Sequence, residues 1–369
     1  MPDIGIGIVG GGYMGKRHAV AMSAVHSTFE TALRPRLVSV AATSLESASR
    51  HRDRFGFDRA AEDWQALVAD PDVEAVIVTT YPETHRAIAE AAFALGKPVL
   101  CEKPLADTIE NARAMAIEAA RTPAADMIAF NYGKTPATQE ACRLIAAGAL
   151  GRIVHIRVTY REDYFADPRY EPTWRARGKL NGAIGDLGSH AIALLLSLGG
   201  PVAAVLASQQ TVFDERGGQR VETEDHVDAI LRFASGVQGN LHVSRIATGA
   251  KMGLTYEVIG TEGSLRFDQE DQNSLHLYRS DAPEAERGFT RILTGPAHPD
   301  MAAFCEGPGH GTGYNDQITI EARDFLAAIE AGTRGTPDFD HGLAVAEISE
   351  ALFASSASGG WASVEGVTP

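Results

Sequence analysis

Three short stretches of this chain carry groups whose types and spacing could do chemistry. Gly10, Gly12 and Gly15 stand in GxGxxG spacing, after the β-rich run Ile4 to Val9 and before a helix-like segment reaching about Val25. In that context the first glycine permits a tight turn. The second lets backbone approach a diphosphate, and the third lets helix pack on strand, with the anion on the helix N-terminus. The second stretch is PVLCEKPL, Pro98 to Leu105, where an apolar run ends in Glu102, Lys103 and Pro104. Pro104 removes a backbone donor and biases Lys103 away from helix, so the strand stops there and the lysine sits at its exit. A surface lysine after an edge strand would read the same way. The third is GAIGDLGSH, Gly182 to His190, leading into the apolar segment Ala191 to Leu198. Asp186 and His190 are four apart, so a helical turn brings both to one side. A carboxylate beside an imidazole fixes its tautomer and raises its basicity, as a general base requires. The alternative is Asp186 as a helix N-cap with His190 in the core.

The elements that position these groups follow from periodicity. Ile4 to Val9, Leu37 to Ala42, Ala75 to Thr79, Val99 to Cys101 and Met127 to Phe130 read as strands separated by helices. Pro82 to about Leu95 and Thr108 to Arg121 are two of those helices, the second capped by Asp107 or Thr108. This alternation predicts a doubly wound parallel sheet, an α/β Rossmann domain over residues 1–130, with ligands at the carboxyl ends of its strands. The second strand ends in Ala41, Ala42, Thr43 and Ser44, without the carboxylate that usually binds the adenosine ribose of NAD. Ser44, with Arg50 or Arg52, could instead meet a 2′-phosphate, so NAD and NADP both stay open.

From 131 onward the pattern changes. After a helix Pro136 to Ala147, strand-like segments accumulate at Ile153 to Tyr160, Val202 to Val212, His226 to Phe233, Val237 to Ile246, Leu254 to Ile259 and Ser264 to Phe267. Short glycine-containing turns join several of them, which signals antiparallel hairpins. Residues 131–369 are therefore expected to form an α+β domain for substrate binding and oligomerisation, with an open, mostly antiparallel sheet. Its uncovered face would serve a homo-oligomer, dimer or tetramer. Gly295 to Gly313 reads as a long loop, and amphipathic helices follow at about Asp316 to Glu330 and Gly342 to Ser356.

Composition narrows the function classes. At 369 residues the chain exceeds one hydrophobic core. Its 33 Lys and Arg against 48 Asp and Glu leave a net charge of −15, which disfavours nucleic acid as a partner. No apolar run reaches the ~18 residues of a membrane span. Cys101, Cys142 and Cys305 have neither a disulfide framework nor zinc spacing, so a cytoplasmic, metal-free protein is expected.

Taken together, GIVGGGYMGKRHA, TTYPETH, CEKPLA, FNYGKTPA, GDLGSH, GYNDQITIEARDF and PDFDHGL resemble, in order and spacing, the Gfo/Idh/MocA oxidoreductases over essentially the whole chain. The likeness is strongest to their sugar and polyol dehydrogenase branch, which includes inositol and anhydrosugar enzymes. The resemblance implies NAD or NADP, with NAD slightly favoured, and cofactor contacts from Gly10, Gly12, Tyr13, Met14, Gly15, Thr43, Ser44, Thr80, Pro82, His85, Glu102 and Lys103. It implies that His190 takes the hydroxyl proton of a sugar or polyol substrate while hydride leaves the same carbon. Asp186 would orient His190 or bind a neighbouring hydroxyl, and Lys103 would steady the reacting oxygen.

Substrate contacts are expected from Lys103, Asp186 and His190, joined by Asn131, Tyr160, Glu162, Arg175 and His310. Asp163 ends the same strand as Tyr160 and Glu162, and Trp174 precedes Arg175. Several positions depart from the family pattern: Tyr81, Pro82 and Glu83 replace a TPN segment, Gly133 and Lys134 replace paired arginines, and Ala193 stands where an aspartate is common. None removes a reacting group. A cofactor- and sugar-binding regulator, or an NAD-dependent glycoside-cleaving enzyme, is the alternative on the same fold. Retention of Lys103, Asp186 and His190 together argues against the regulator.

Overall fold

The computed structural model describes residues 1–171 and 174–367, with the side chain of Trp174 outside the described set. The chain divides into two compact units, Met1–Lys134 with Gly313–Ala344, and Thr135–Thr312 with Val345–Pro369.

In the first unit, strands β1 (Asp3–Val9), β2 (Arg34–Ala41), β3 (Arg59–Ala60), β4 (Ala75–Val78), β5 (Val99–Glu102) and β6 (Asp126–Ala129) alternate with helices α1 (Tyr13–Thr28), α2 (Leu45–Phe55), α3 (Trp64–Ala69), α4 (Pro82–Ala94) and α5 (Ile109–Arg121). The strands pair in parallel in the order β3-β2-β1-β4-β5-β6. The four residues of β4, β5 and β6 are all buried, as a sheet covered on both faces demands. Thr108 is the cap of α5, its hydroxyl accepting the Asn111 N–H at 3.2 Å. The chain order reverses direction at β1/β4, and in such a sheet the crevice at the carboxyl ends of these strands is the ligand edge. The glycine loop leaves β1 at that edge, Thr79 to Tyr81 leaves β4, Lys103 leaves β5 and Asn131 leaves β6.

The second unit holds α6 (Pro136–Ala146), α7 (Ser189–Gly199) and strands β7 (Ile153–Arg161), β8 (Val202–Gln210), β9 (Glu215–Arg216), β10 (Gln219–Arg220), β11 (His226–Phe233), β12 (Gln238–Ser244), β13 (Gly253–Gly260), β14 (Gly263–Asp268), β15 (Ser274–Arg279), β16 (Thr290–Leu293) and β17 (Ala362–Ser363). Nine of these strands form one sheet, β16-β15-β14-β13-β7-β12-β11-β8-β17, in which β7 and β12 are parallel and the other pairs antiparallel. The fold is thus α/β, a parallel Rossmann sheet plus a mostly antiparallel one. Burial alternates strictly along β11, so one face of the sheet is covered while Ile230 on the other is exposed. Helix α7 packs on β7 and β12.

Two further helices close the chain, α8 (Tyr314–Ala331) and α9 (Phe339–Ser358). Its position after residue 131 suggests that α8 belongs to the second domain, but Ile318, Ala322, Phe325 and Leu326 join Ile6, Ile8, Ala19, Met22 and Val25 in one core. An amphipathic helix reveals its apolar stripe in sequence but not which surface the stripe will cover.

Candidate active site

Within the first unit the glycine loop is shaped by two different constraints. Gly10 has φ of +121°, and a Cβ there would overlap Thr79, which itself donates its hydroxyl to the Val9 and Gly10 carbonyls at 3.1 Å each. A Cβ on Gly15 would overlap the Gly10 carbonyl oxygen. These two glycines are required by the chain's own packing. Gly12 is not: a Cβ there would meet nothing within 4 Å, and its backbone is extended. Gly12 is also the N-cap residue of α1 and has no side-chain cap, so a smooth cradle opens onto a helix N-terminus. That arrangement fits the diphosphate of a dinucleotide.

The second strand end bears on the cofactor's ribose. Ser44 is the N-cap of α2, accepting the Ser47 N–H at 3.2 Å, and Thr43 beside it is exposed. Arg50 is paired with Glu46, and Arg52 with Asp53 at 2.7 Å, all on the exposed helix face.

The exit of β5 is held from beneath. Glu102 is buried and its Oε1 lies 2.8 Å from Nε2 of buried His18 on α1, while its Oε2 accepts the Lys103 N–H at 3.2 Å. Lys103 follows, half-buried, joined to Pro104 by a cis peptide. His85 on α4 is fully buried, with Nε2 3.1 Å from the Thr80 carbonyl and Nδ1 3.2 Å and 3.3 Å from those of Pro104 and Leu105. Burial lowers its pKa below the usual imidazole value, favouring the neutral ring. His85 therefore packs between the Thr80 and Lys103 loops, and as a neutral ring it donates to one side only. Pro82 opens α4 at its first turn and is likewise buried.

Helix α8, which carries the GYNDQITIEARDF motif, supplies neighbours to the glycine loop and to Asn131. The Tyr314 hydroxyl donates to the Met14 sulfur at 3.5 Å, and its ring lies 6.2 Å from that of exposed Tyr13. Arg17 reaches Asn315 at 3.0 Å. Asn131, expected at the substrate, is buried and gives its amide to Gln317 at 2.9 Å.

Within the second unit the segment Ile184–Gly188 is a π-helical turn that runs directly into α7. Such bulges often occur where a side chain must be re-aimed for function. Asp186 lies inside this turn, not at a cap, and His190 is the second residue of α7, buried. Oδ2 of Asp186 accepts Nε of Arg175 and the Tyr164 hydroxyl, each at 2.8 Å. Burial first and Asp186 second push the Tyr164 phenol well above its ordinary pKa, so it stays a proton donor to the carboxylate. The His190 ring stands 6.3 Å from that of Tyr160, edge to face, and Tyr160 donates to Glu162 at 2.7 Å. Five of the expected residues, Tyr160, Glu162, Arg175, Asp186 and His190, thus fall into two contact groups carried by the end of β7, a 3-10 turn at 174–176, the π-turn and the start of α7. Asp163 instead pairs with Lys251 at 2.7 Å, and His310 is exposed on its loop. Tyr164 was missed because nothing local marks it; only the fold brings it to Asp186.

A six-stranded Rossmann sheet with an open glycine cradle at its switch point defines a dinucleotide-binding protein. Residues 4–130 match the oxidoreductase family model with an NAD-binding Rossmann fold, and residues 138–266 match the GFO/IDH/MocA C-terminal domain. The chain belongs to the Gfo/Idh/MocA oxidoreductases, and its first unit is their NAD-binding domain. It is 36% identical to a levoglucosan dehydrogenase of Pseudarthrobacter phenanthrenivorans over 99% of each chain. A solved levoglucosan dehydrogenase in complex with NADH and levoglucosan superposes with a TM-score of 0.96 at 36% identity, over 98% of this chain and 99% of the other. An inositol dehydrogenase homologue from Azotobacter vinelandii with NADH and myo-inositol gives 0.83 at 25% identity over 98% of each.

Proposed function

We propose that this chain oxidises a secondary hydroxyl of a cyclic sugar or polyol with NAD, and that an anhydrosugar of the levoglucosan type is the first substrate to test. The observation that carries the reading is the Arg175–Asp186–Tyr164 cluster on the π-turn that leads into His190, in a chain matching a levoglucosan dehydrogenase end to end. Bound NAD supplies the hydride acceptor. An imidazole nitrogen of His190 takes the hydroxyl proton, Lys103 Nζ hydrogen-bonds the reacting oxygen, and Asp186, fixed by Arg175 and Tyr164, holds the local geometry and charge. Arg175, Tyr160 and Glu162 offer donors and acceptors suited to ring hydroxyls, each of which is costly to leave unmatched.

NAD is preferred over NADP for a physical reason. Ser44 already caps α2, and Arg50 and Arg52 are ion-paired on an exposed face, so neither of these arginines is set aside for a 2′-phosphate. No helix among the described residues is long and apolar enough to cross a membrane. The three free cysteines suit a cytoplasmic protein, and Val154 and Ile230, exposed on the large sheet, suit a homo-oligomer formed there. Light scattering of the purified protein tests the assembly. For activity, NADH absorbance is followed with levoglucosan, inositols and aldoses, each with NAD and with NADP. Net NADH from a cyclic sugar supports the reading, and product without net NADH would favour transient oxidation in a glycoside-cleaving reaction.

A further inference from the structure

We propose that Glu224 is a positioning residue for this reaction, holding the π-turn that carries Asp186 and leads to His190. The inference rests on the proposed roles of those two residues. Glu224 is buried and lies in the segment just before β11, far from the turn in sequence. Its Oε1 accepts the Ile184 N–H at 2.7 Å, and its backbone carbonyl accepts the Ala183 N–H at 3.1 Å. Those donors belong to the first turn of the helical run, where backbone N–H groups otherwise lack partners and negative charge is favoured. Glu224 therefore caps, from another part of the chain, the helical run that carries the base.

The flanking residues make this a built clamp. Thr223 donates its hydroxyl to the Arg175 carbonyl at 2.9 Å. Buried Asp225 pairs with buried Arg245 at 3.1 Å, and Arg245 donates to the Arg175 carbonyl at 2.9 Å. Three consecutive side chains thus fix both ends of the segment 175–184. The carboxylate lies flush on Gly182, whose φ of −80° any residue could adopt but whose Cβ would overlap both carboxylate oxygens.

The charged groups facing Glu224 are Arg245, which favours its anion, and Asp225, which opposes it; the Ile184 N–H also favours the anion. Burial outweighs these and pushes the carboxyl up to about 7. Near neutral pH the cap thus passes between a charged acceptor and a weaker neutral one.

The test uses the full chain with NAD and its best sugar. Glu224→Gln is expected to lower kcat on the order of 10–100-fold at alkaline pH, with NADH affinity unchanged by nicotinamide fluorescence. The acid limb of kcat/KM should fall from steeper than one proton in wild type to a single proton in the variant. Gly182→Ala, which keeps the acid but displaces it, should lose kcat to the same order and lose no more in a Glu224→Ala background; it carries the test if Glu224→Gln does not fold. Wild-type kcat with an unchanged acid limb in Glu224→Gln, or additive losses in the double variant, overturns the role. His190→Ala is measured alongside. If it is inactive while Glu224→Gln behaves as wild type, only the positioning role fails, whereas an active His190→Ala overturns both readings.

Discussion

Nε of Arg175 donates to Oδ2 of Asp186 across 2.8 Å, and the guanidinium also lies 5.5 Å from the centre of the Tyr164 ring, whose hydroxyl donates to the same oxygen. That oxygen is committed to holding the carboxylate in place. Removing Arg175 leaves a largely buried negative charge with one strong donor fewer. Arg175→Ala is expected to lower kcat/KM about 100-fold, and Tyr164→Phe, which removes one neutral donor, about tenfold. Steady-state NADH production measures both, with NADH binding as the control that the first unit is intact.

The glycine loop separates folding from binding. Gly10→Ala and Gly15→Ala collide with Thr79 and with the Gly10 carbonyl, so both are expected to lower thermal stability. Gly12→Ala collides with nothing in the chain. It should melt like wild type yet bind NADH at least about tenfold more weakly, because the methyl occupies the diphosphate cradle. Calorimetric melting and fluorescence titration on the same preparation check the contrast.

Glu321 on α8 is fully buried, and among the described residues neither of its carboxylate oxygens has a hydrogen-bond partner. Burial, then repulsion from Glu102, push its pKa well above the ordinary carboxyl value, while Lys134 opposes the rise. The folded state therefore keeps a proton that the unfolded chain releases above about pH 4.3. Because the folded form binds more protons, stability falls as pH rises above that value toward the folded pKa. Glu321→Gln removes this dependence and is expected to be more stable than wild type at pH 8 by roughly 1–3 kcal/mol, with the gap closing toward acid. Denaturant melts across pH measure it, and a constant gap would contradict the assignment of the proton.

What was legible in the sequence was what is local. GxGxxG, the strand-ending EKP and the DxxxH spacing each announce themselves within a few residues, and the alternation of strands and helices yields the Rossmann sheet. What was not legible is long-range. Tyr164, Glu224 and Arg245 reach the Asp186 turn only through sheet pairing and loop closure. The π-turn itself has no sequence period to read. Likewise only the fold shows that His85 packs against the Thr80 and Pro104 carbonyls and that Asn131 gives its amide to Gln317. Strands β15 and β16 are not among the strands expected from sequence: TRIL is only four residues long, and SLHLYR, though it alternates, is short and flanked by charged loops.

The roles of His190 as proton acceptor and Lys103 as the donor to the reacting oxygen, with NAD taking the hydride, are tested most directly by NADH formation from levoglucosan in wild type, Lys103→Ala and His190→Ala. Turnover is expected in wild type, with losses on the order of 10²–10⁴-fold in each variant and NADH affinity nearly intact. Turnover close to wild type in either variant would contradict these roles.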